Sequence, residues 1–276
     1  MTEFTPVLSL SGGLLIGLSA AAAFVLFGRV IGMSGILART LDFDFGEGSW
    51  RAFFLLGLIL TPLILSLVAP SPHGFEPMGL IPMLIGGFLV GYGSRRFWLY
   101  QRSRDLWNFK VVQTFDRCHL HLYGDGGPDG LCASASDGRC IMIQMIALVL
   151  GSLFGAGLYI AGMTNPAKIA NFLDIAGTWD PSLIFVMGGG IPVAAIGFII
   201  LRRRARPVIF ADSQVPQAGD IDRPLVLGSA IFGIGWGISG LCPGPAFASV
   251  LLEPGVIFPY LVALVLGSLA YERFHR

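Results

Sequence analysis

Twenty successive residues, Leu8–Phe27, carry no charged side chain. A helix rises about 1.5 Å per residue, so roughly 20 apolar residues cross the ~30 Å hydrocarbon layer of a bilayer. Six further segments read the same way: Ala52–Val68, Leu80–Tyr92, Met142–Ala161, Leu183–Leu201, Leu225–Ile238 and Val256–Ala270. Several are short or glycine-rich, which suggests half-helices, re-entrant pieces or close helix packing. Charged residues make up 13% of the chain, against roughly 25% in soluble domains. Mean hydropathy is +0.73, and the lipid bilayer is therefore the first partner. Met1–Leu10 has no basic leader region, so the first apolar segment is expected to remain as a span. A net charge of +1 gives no reason to expect nucleic acid, and four cysteines do not make a disulfide framework here.

Orientation follows from basic residues. Arg202, Arg203, Arg204 and Arg206 mark a cytoplasmic loop after Leu201, and Ala211–Arg223, with Pro216 and Gly219, continues it.

Within the sixth apolar segment and just beyond it, Gly235-Trp236-Gly237-Ile238-Ser239-Gly240-Leu241-Cys242-Pro243-Gly244-Pro245 breaks the helical pattern. Prolines remove backbone donors, and glycines admit close approach. Broken backbone at membrane depth is tolerated only where it is buried in protein or lines a cavity. Cys242 is then either a path-lining thiol or an inert cysteine in a tight helix pair.

The chain also repeats itself. Ile85-Gly86-Gly87-Phe88-Leu89-Val90-Gly91-Tyr92-Gly93 aligns with Leu227-Gly228-Ser229-Ala230-Ile231-Phe232-Gly233-Ile234-Gly235, glycine for glycine at three positions. Earlier, Gly32-Met33-Ser34 matches Gly162-Met163-Thr164, again after an apolar, glycine-bearing helix. The expected fold is all-α: a polytopic membrane protein with two pseudo-symmetric halves and short or broken helices, as in many transporters. The first half spans 1–94 and the second 141–276.

Residues 95–140 do not fit that scheme. They are polar, basic and aperiodic where the repeat calls for another motif and another span. Cys118, His119, His121, Cys132 and Cys140 can each ligate zinc, but their spacing fits no standard site, and no metal or other cofactor is expected. The codons offer a second reading. Taking the last two nucleotides of each codon with the first of the next, Arg96–Lys110 can spell Gly-Ser-Gly-Ser-Thr-Ser-Gly-His-Gly-Ile-Cys-Gly-Ile-Ser-Arg. Trp98 and Trp107 have one codon each and force two of those glycines. Val111–Leu131 can then spell L-F-K-R-S-I-V-A-T-C-T-F-M-A-T-A-G-L-T-V-F, a hydrophobic span. The segment reads as an out-of-frame translation, with Met142 the start of a once separate second frame.

The chain resembles the YeeE/YedE sulphur-transport family, in the manner of a fusion of its split two-component members. The resemblance is carried by Gly13–Leu18, Gly28–Leu37, Gly155–Gly157, Gly162–Lys168, Phe172–Ser182 and Gly235–Pro245. It implies an inner-membrane, multi-pass importer of thiosulfate or a related small sulphur anion through a cysteine-lined path, with a cytoplasmic sulphurtransferase as a receiving partner. Only Cys242 carries the family's cysteine role in the written frame. The family's Ser-Gly-His-Gly-x-Cys-Gly motif is spelled only in the shifted one.

The implied path comprises Ser239, Gly240, Cys242, Pro243, Gly244, Met163, Asn165, Pro166, Met33 and Ser34. A thiol is soft and a weak donor, suited to brief contact with a sulphur-terminated anion. In apolar surroundings it stays neutral and does not repel the anion. Helix starts after Pro166 and after Pro243-Gly244-Pro245 offer backbone donors. Asn165 either caps the helix starting near Ala167 or binds substrate. Lys168 and Arg29 either balance the anion's charge or snorkel to the interface. Met33 and Met163 fit packing as well as ligation. Asp174 and Asp180, flanking Trp179, fit an interfacial loop. No nucleotide-binding motif is present, and no enzymatic role is expected. Two other readings are a membrane sulphur-relay or redox protein using Cys242, and an inactive product of a frameshifted gene.

Overall fold

The structure, a computed structural model, describes residues 4–28, 49–69, 79–96, 138–204, 207–209 and 222–274. The elements are α1 (Pro6–Phe27), α2 (Ser49–Val68), α3 (80–96), α4 (Gly138–Ile160), α5 (Pro166–Leu173), α6 (Ser182–Arg204), α7 (Arg223–Ser239), α8 (Pro243–Ser249) and α9 (Pro254–Phe274). All seven expected apolar segments form helices, and no strand occurs among the described residues. Among the described residues, six stretches are long and apolar enough to cross a membrane, with Arg223–Ser249 counting as one. The expected loop after Leu201 begins later, because α6 continues through Arg204. Three arginines at a helix C-terminus favour its dipole and leave the apolar layer without ending the helix.

Backbones approach closely at glycines. A methyl group on Gly13 would collide with the Val186 carbonyl, and one on Gly17 would lie 2.6 Å from that of Gly190, so α1 and α6 run parallel in contact. Gly151 lies likewise against the Phe54 carbonyl and Gly155 against Leu58, so α2 and α4 also run parallel. Gly12 meets Ala161, Ile16 meets Gly157 and the Ser19 hydroxyl donates to the Leu150 carbonyl, which sets α1 and α4 antiparallel. Gly86 meets Gly235 and Gly93 meets Gly228, which sets α3 and α7 antiparallel. Small residues of this kind let membrane helices pack backbone to backbone.

These pairings are exchanged by a two-fold relation. With α1 matched to α4, α2 to α6 and α3 to α7, the α1–α6 pair becomes the α4–α2 pair. The α1–α4 and α3–α7 pairs map onto themselves, and both are antiparallel, as an axis lying across the helices requires. Both matched helices α1 and α4 end in a left-handed glycine, Gly28 at φ 64° and Gly162 at φ 68°.

The basic residues sort to one end. The start of α2, the ends of α3, α6 and α9 and the start of α7 carry Arg51, Arg95, Arg96, Arg202, Arg203, Arg204, Arg223 and Arg273. Arg95 is buried there and donates to Glu272 of α9 at 3.1 Å. Among the described residues, Lys168 alone of the basic side chains lies toward the other end.

Candidate functional site

Two chain breaks meet near the end that Lys168 occupies. α4 stops at Gly162, whose φ of 68° is a left-handed conformation that costs a side-chain-bearing residue about 1–2 kcal/mol. The chain then turns through Met163 and Thr164 to Asn165. The Asn165 side chain accepts a hydrogen bond from the Ala167 N–H at 3.0 Å and so caps α5, and Pro166 supplies a preset φ at the first helical position. This is the capping role, one of the two that the sequence left open.

α7 stops at Gly240, also left-handed at φ 63°, with its N–H donating to the Trp236 carbonyl at 2.8 Å. Cys242 is extended and stands at the N-cap of α8, which starts at Pro243 itself rather than after Pro245. Proline has no N–H to lose and a fitting φ, so the first turn begins there. The breaks touch: a methyl group on Gly240 would lie 2.6 Å from the Pro166 carbonyl oxygen. At about 1.5 Å per residue, α7 carries the chain on the order of 25 Å from Arg223 before it breaks, most of the way across a ~30 Å layer.

Around Cys242 the polar groups are held by backbone. The Ser239 hydroxyl is buried and donates to the Gly235 carbonyl at 2.8 Å. Tyr260 is fully buried, and its hydroxyl donates to the Leu241 carbonyl at 2.8 Å while neighbouring both Ser239 and Cys242. The Cys242 carbonyl accepts from the Ala246 N–H at 3.1 Å. Its thiol is free, half-buried and makes no capping hydrogen bond. Pro243 and Gly244 are buried beside it.

Met163 is buried in a cluster with Leu58, Leu158, Ile169, Val186 and Ala248, so its contacts are packing contacts. Trp236 packs against that cluster and also against the one containing Leu241 and Tyr260. Its indole N–H is buried and has no acceptor among the described residues. An unsatisfied buried donor costs about 1–3 kcal/mol, and indole can only donate. Sequence reasoning placed Trp236 in the motif but not in the path. The glycines on both sides of it were the signal, since they bring backbone close while leaving the one large side chain to fill the space.

Lys168 does not snorkel. It is 1% exposed, and its ammonium donates to Thr5 Oγ1 at 2.8 Å. Burial pulls the ammonium below lysine's usual range, and the Asp180 carboxylate opposes that. Asp180 is buried too, where an interfacial loop was expected, and accepts from the Ser182 N–H and hydroxyl at the start of α6. Asp174 is exposed and accepts from the Thr178 N–H, as an interfacial loop residue does. The Thr5 N–H approaches Ser182 Oγ at 3.5 Å, so the group joins the starts of α1, α5 and α6. Arg29, Met33 and Ser34 lie outside the described residues, as do Cys118, His119, His121 and Cys132 of the zinc reading. Among the described residues no group of three His, Cys, Asp or Glu is placed to hold a metal.

Residues 142–276 match the model of a family described as a family of unknown function, DUF6691. A protein of Xylella fastidiosa (strain 9a5c) named "Probable transporter" is 43% identical over 129 residues, covering 46% of this chain and 88% of that protein. Its namesake in strain Temecula1 is 43% identical over the same length, covering 87% of that protein. A further "Probable transporter" of strain 9a5c is 35% identical over 85 residues, covering 30% of this chain and 62% of that protein. No solved structure matches.

Proposed function

Because the chain belongs to the DUF6691 family and to the family of those probable transporters, we propose that it is itself a membrane transporter, and that its cargo is thiosulfate or a related small sulphur-containing anion. The observation that carries the anion reading is the Trp236 indole N–H, buried without an acceptor beside the two breaks. An anionic oxygen passing between α5 and α8 supplies that acceptor, and a hydrogen bond to a charged partner is worth about 1.5–3 kcal/mol.

Orientation supports import. Basic residues gather at the cytoplasmic end of membrane helices, so Lys168 lies toward the outer face of the inner membrane. Its buried ammonium, beside Thr5 and Asp180, fixes the starts of α1, α5 and α6 at the mouth. Farther in, the Cys242 thiol meets the terminal sulphur of the cargo. A thiol is a weak, polarizable partner, and conduction requires contacts weak enough to release. The cargo leaves at the arginine-rich end, where a cytoplasmic sulphurtransferase takes it up. Every step is binding and release, so no bond in the cargo breaks in the protein.

Uptake of radiolabelled thiosulfate into proteoliposomes tests this. The account expects uptake above that of protein-free vesicles, with sulphate competing weakly because it offers oxygen and no terminal sulphur. Uptake that sulphate blocks as well as unlabelled thiosulfate does would remove the sulphur preference.

A further inference from the structure

Helices α3 and α7 are counterparts in the repeat, and each has two faces lined by small residues. One face is used alike in both. Gly86 and Gly93 of α3 pack on Gly235 and Gly228 of α7, and a methyl group on either α3 glycine would lie 2.8 Å from the facing glycine's carbonyl oxygen.

The second face is used in α3 alone. Gly87 and Gly91 are buried under α9. A methyl group on Gly87 would lie 2.6 Å from the Tyr260 carbonyl oxygen, one on Gly91 would collide with that of Leu264, and Gly267 lies against the Phe88 carbonyl. The spacing that sets Ile85 opposite Leu227 carries Gly87 to Ser229, Phe88 to Ala230 and Gly91 to Gly233. All three are exposed, and among the described residues nothing lies within 4 Å of a methyl group placed on Gly233. A glycine in a membrane helix earns its place where another backbone comes close; against lipid it leaves only a gap.

We propose that the Ser229–Ala230–Gly233 face of α7 is the docking face for one more transmembrane helix, the counterpart of α9, and that its occupant is the helix spelled by the shifted reading of codons 111–131. Three things agree on that occupant. The repeat spacing carries α9, Pro254–Phe274, back onto 112–132, almost the same stretch the shifted frame makes hydrophobic. α9 runs parallel to α3, so the missing helix runs parallel to α7 and starts at the Arg223 end. In the shifted reading Gln113 followed by Thr114 gives Lys or Arg whatever the codons, which places a basic residue at that end among the others. The written residues 97–137 lie outside the described structure, and their polar sequence supplies no such span.

The test compares the chain as written with the product of a gene corrected by one nucleotide. If no single shift in the DNA yields the hydrophobic string, the occupant is wrong. Gly233→Leu is expected to leave the thermal midpoint of the written chain unchanged and to lower that of the corrected chain by about 3 °C or more, since overpacking then meets a helix instead of lipid. In a background with native cysteines replaced by serine, Gly233→Cys is expected to form a disulfide with a cysteine placed at corrected position 122, the counterpart of Leu264. Equal effects of Gly233→Leu in the two proteins, or no cross-link at that position, would overturn the proposal.

Discussion

The carbonyl oxygen of Pro166 stands 2.6 Å from where a side chain on Gly240 would begin, and Gly240 holds a left-handed φ of 63°. The two breaks are therefore packed backbone against backbone. Gly240→Ala meets both the left-handed penalty of about 1–2 kcal/mol and a backbone clash that no side-chain rotation relieves. We expect a loss of about 2 kcal/mol or more, read as a lowered midpoint of thermal unfolding in detergent. A midpoint equal to that of the parent chain would show that the breaks do not touch.

Trp236→Phe separates a binding role from a structural one. The N–H is lost together with part of the indole's packing against two clusters, so relief of the unsatisfied donor is set against lost contacts and the unfolding midpoint is expected to fall modestly. Thiosulfate affinity is expected to fall about tenfold, the size of one hydrogen bond to an anion. Unchanged uptake kinetics with a lowered unfolding midpoint would make Trp236 a packing residue only.

Lys168 sets a pH dependence of stability. Its folded-state value is lowered by burial, with Asp180 opposing, so the folded protein gives up that proton before the unfolded chain does. The stability it contributes rises as pH climbs from the lowered value to lysine's ordinary value of about 10.4, and is level below that interval. The unfolding midpoint of the parent chain, relative to that of Lys168→Met, should increase with pH on the alkaline side of neutrality. A relative midpoint that falls over this range contradicts the burial seen here.

Asp180 holds the start of α6 through the Ser182 N–H and hydroxyl. Asp180→Ala removes an N-terminal cap, worth about 0.5–2 kcal/mol, and also a carboxylate facing Lys168. Asp180→Asn keeps the acceptor and loses the charge. We expect Asp180→Ala to destabilise more than Asp180→Asn in detergent unfolding; equal losses would assign the effect to charge alone.

The helices were legible because apolar length is written in the chain itself. Leu8–Phe27 and Met142–Ala161 fall within two residues of α1 and within four of α4. The Asn165 cap was legible because its partner, Ala167, is two residues away. What escaped depends on distant segments. Lys168 looks like an interfacial lysine until Thr5, 163 positions earlier, is folded against it. Asp180 reads as a loop residue until α6 turns over it. α6 outran its apolar stretch because a helix needs only its backbone bonds, and arginines at its C-terminus are favourable. The Trp236 N–H could not be known to lack an acceptor before two separate clusters closed around it.

The most direct measurement is the rate of radiolabelled thiosulfate uptake into proteoliposomes carrying the chain, in its written and frame-corrected forms, with and without Cys242→Ala. Uptake above protein-free vesicles in at least one form, falling about tenfold when the thiol is removed, is the result expected. No uptake in either form, or uptake that Cys242→Ala leaves untouched, would contradict a sulphur-anion path through Cys242.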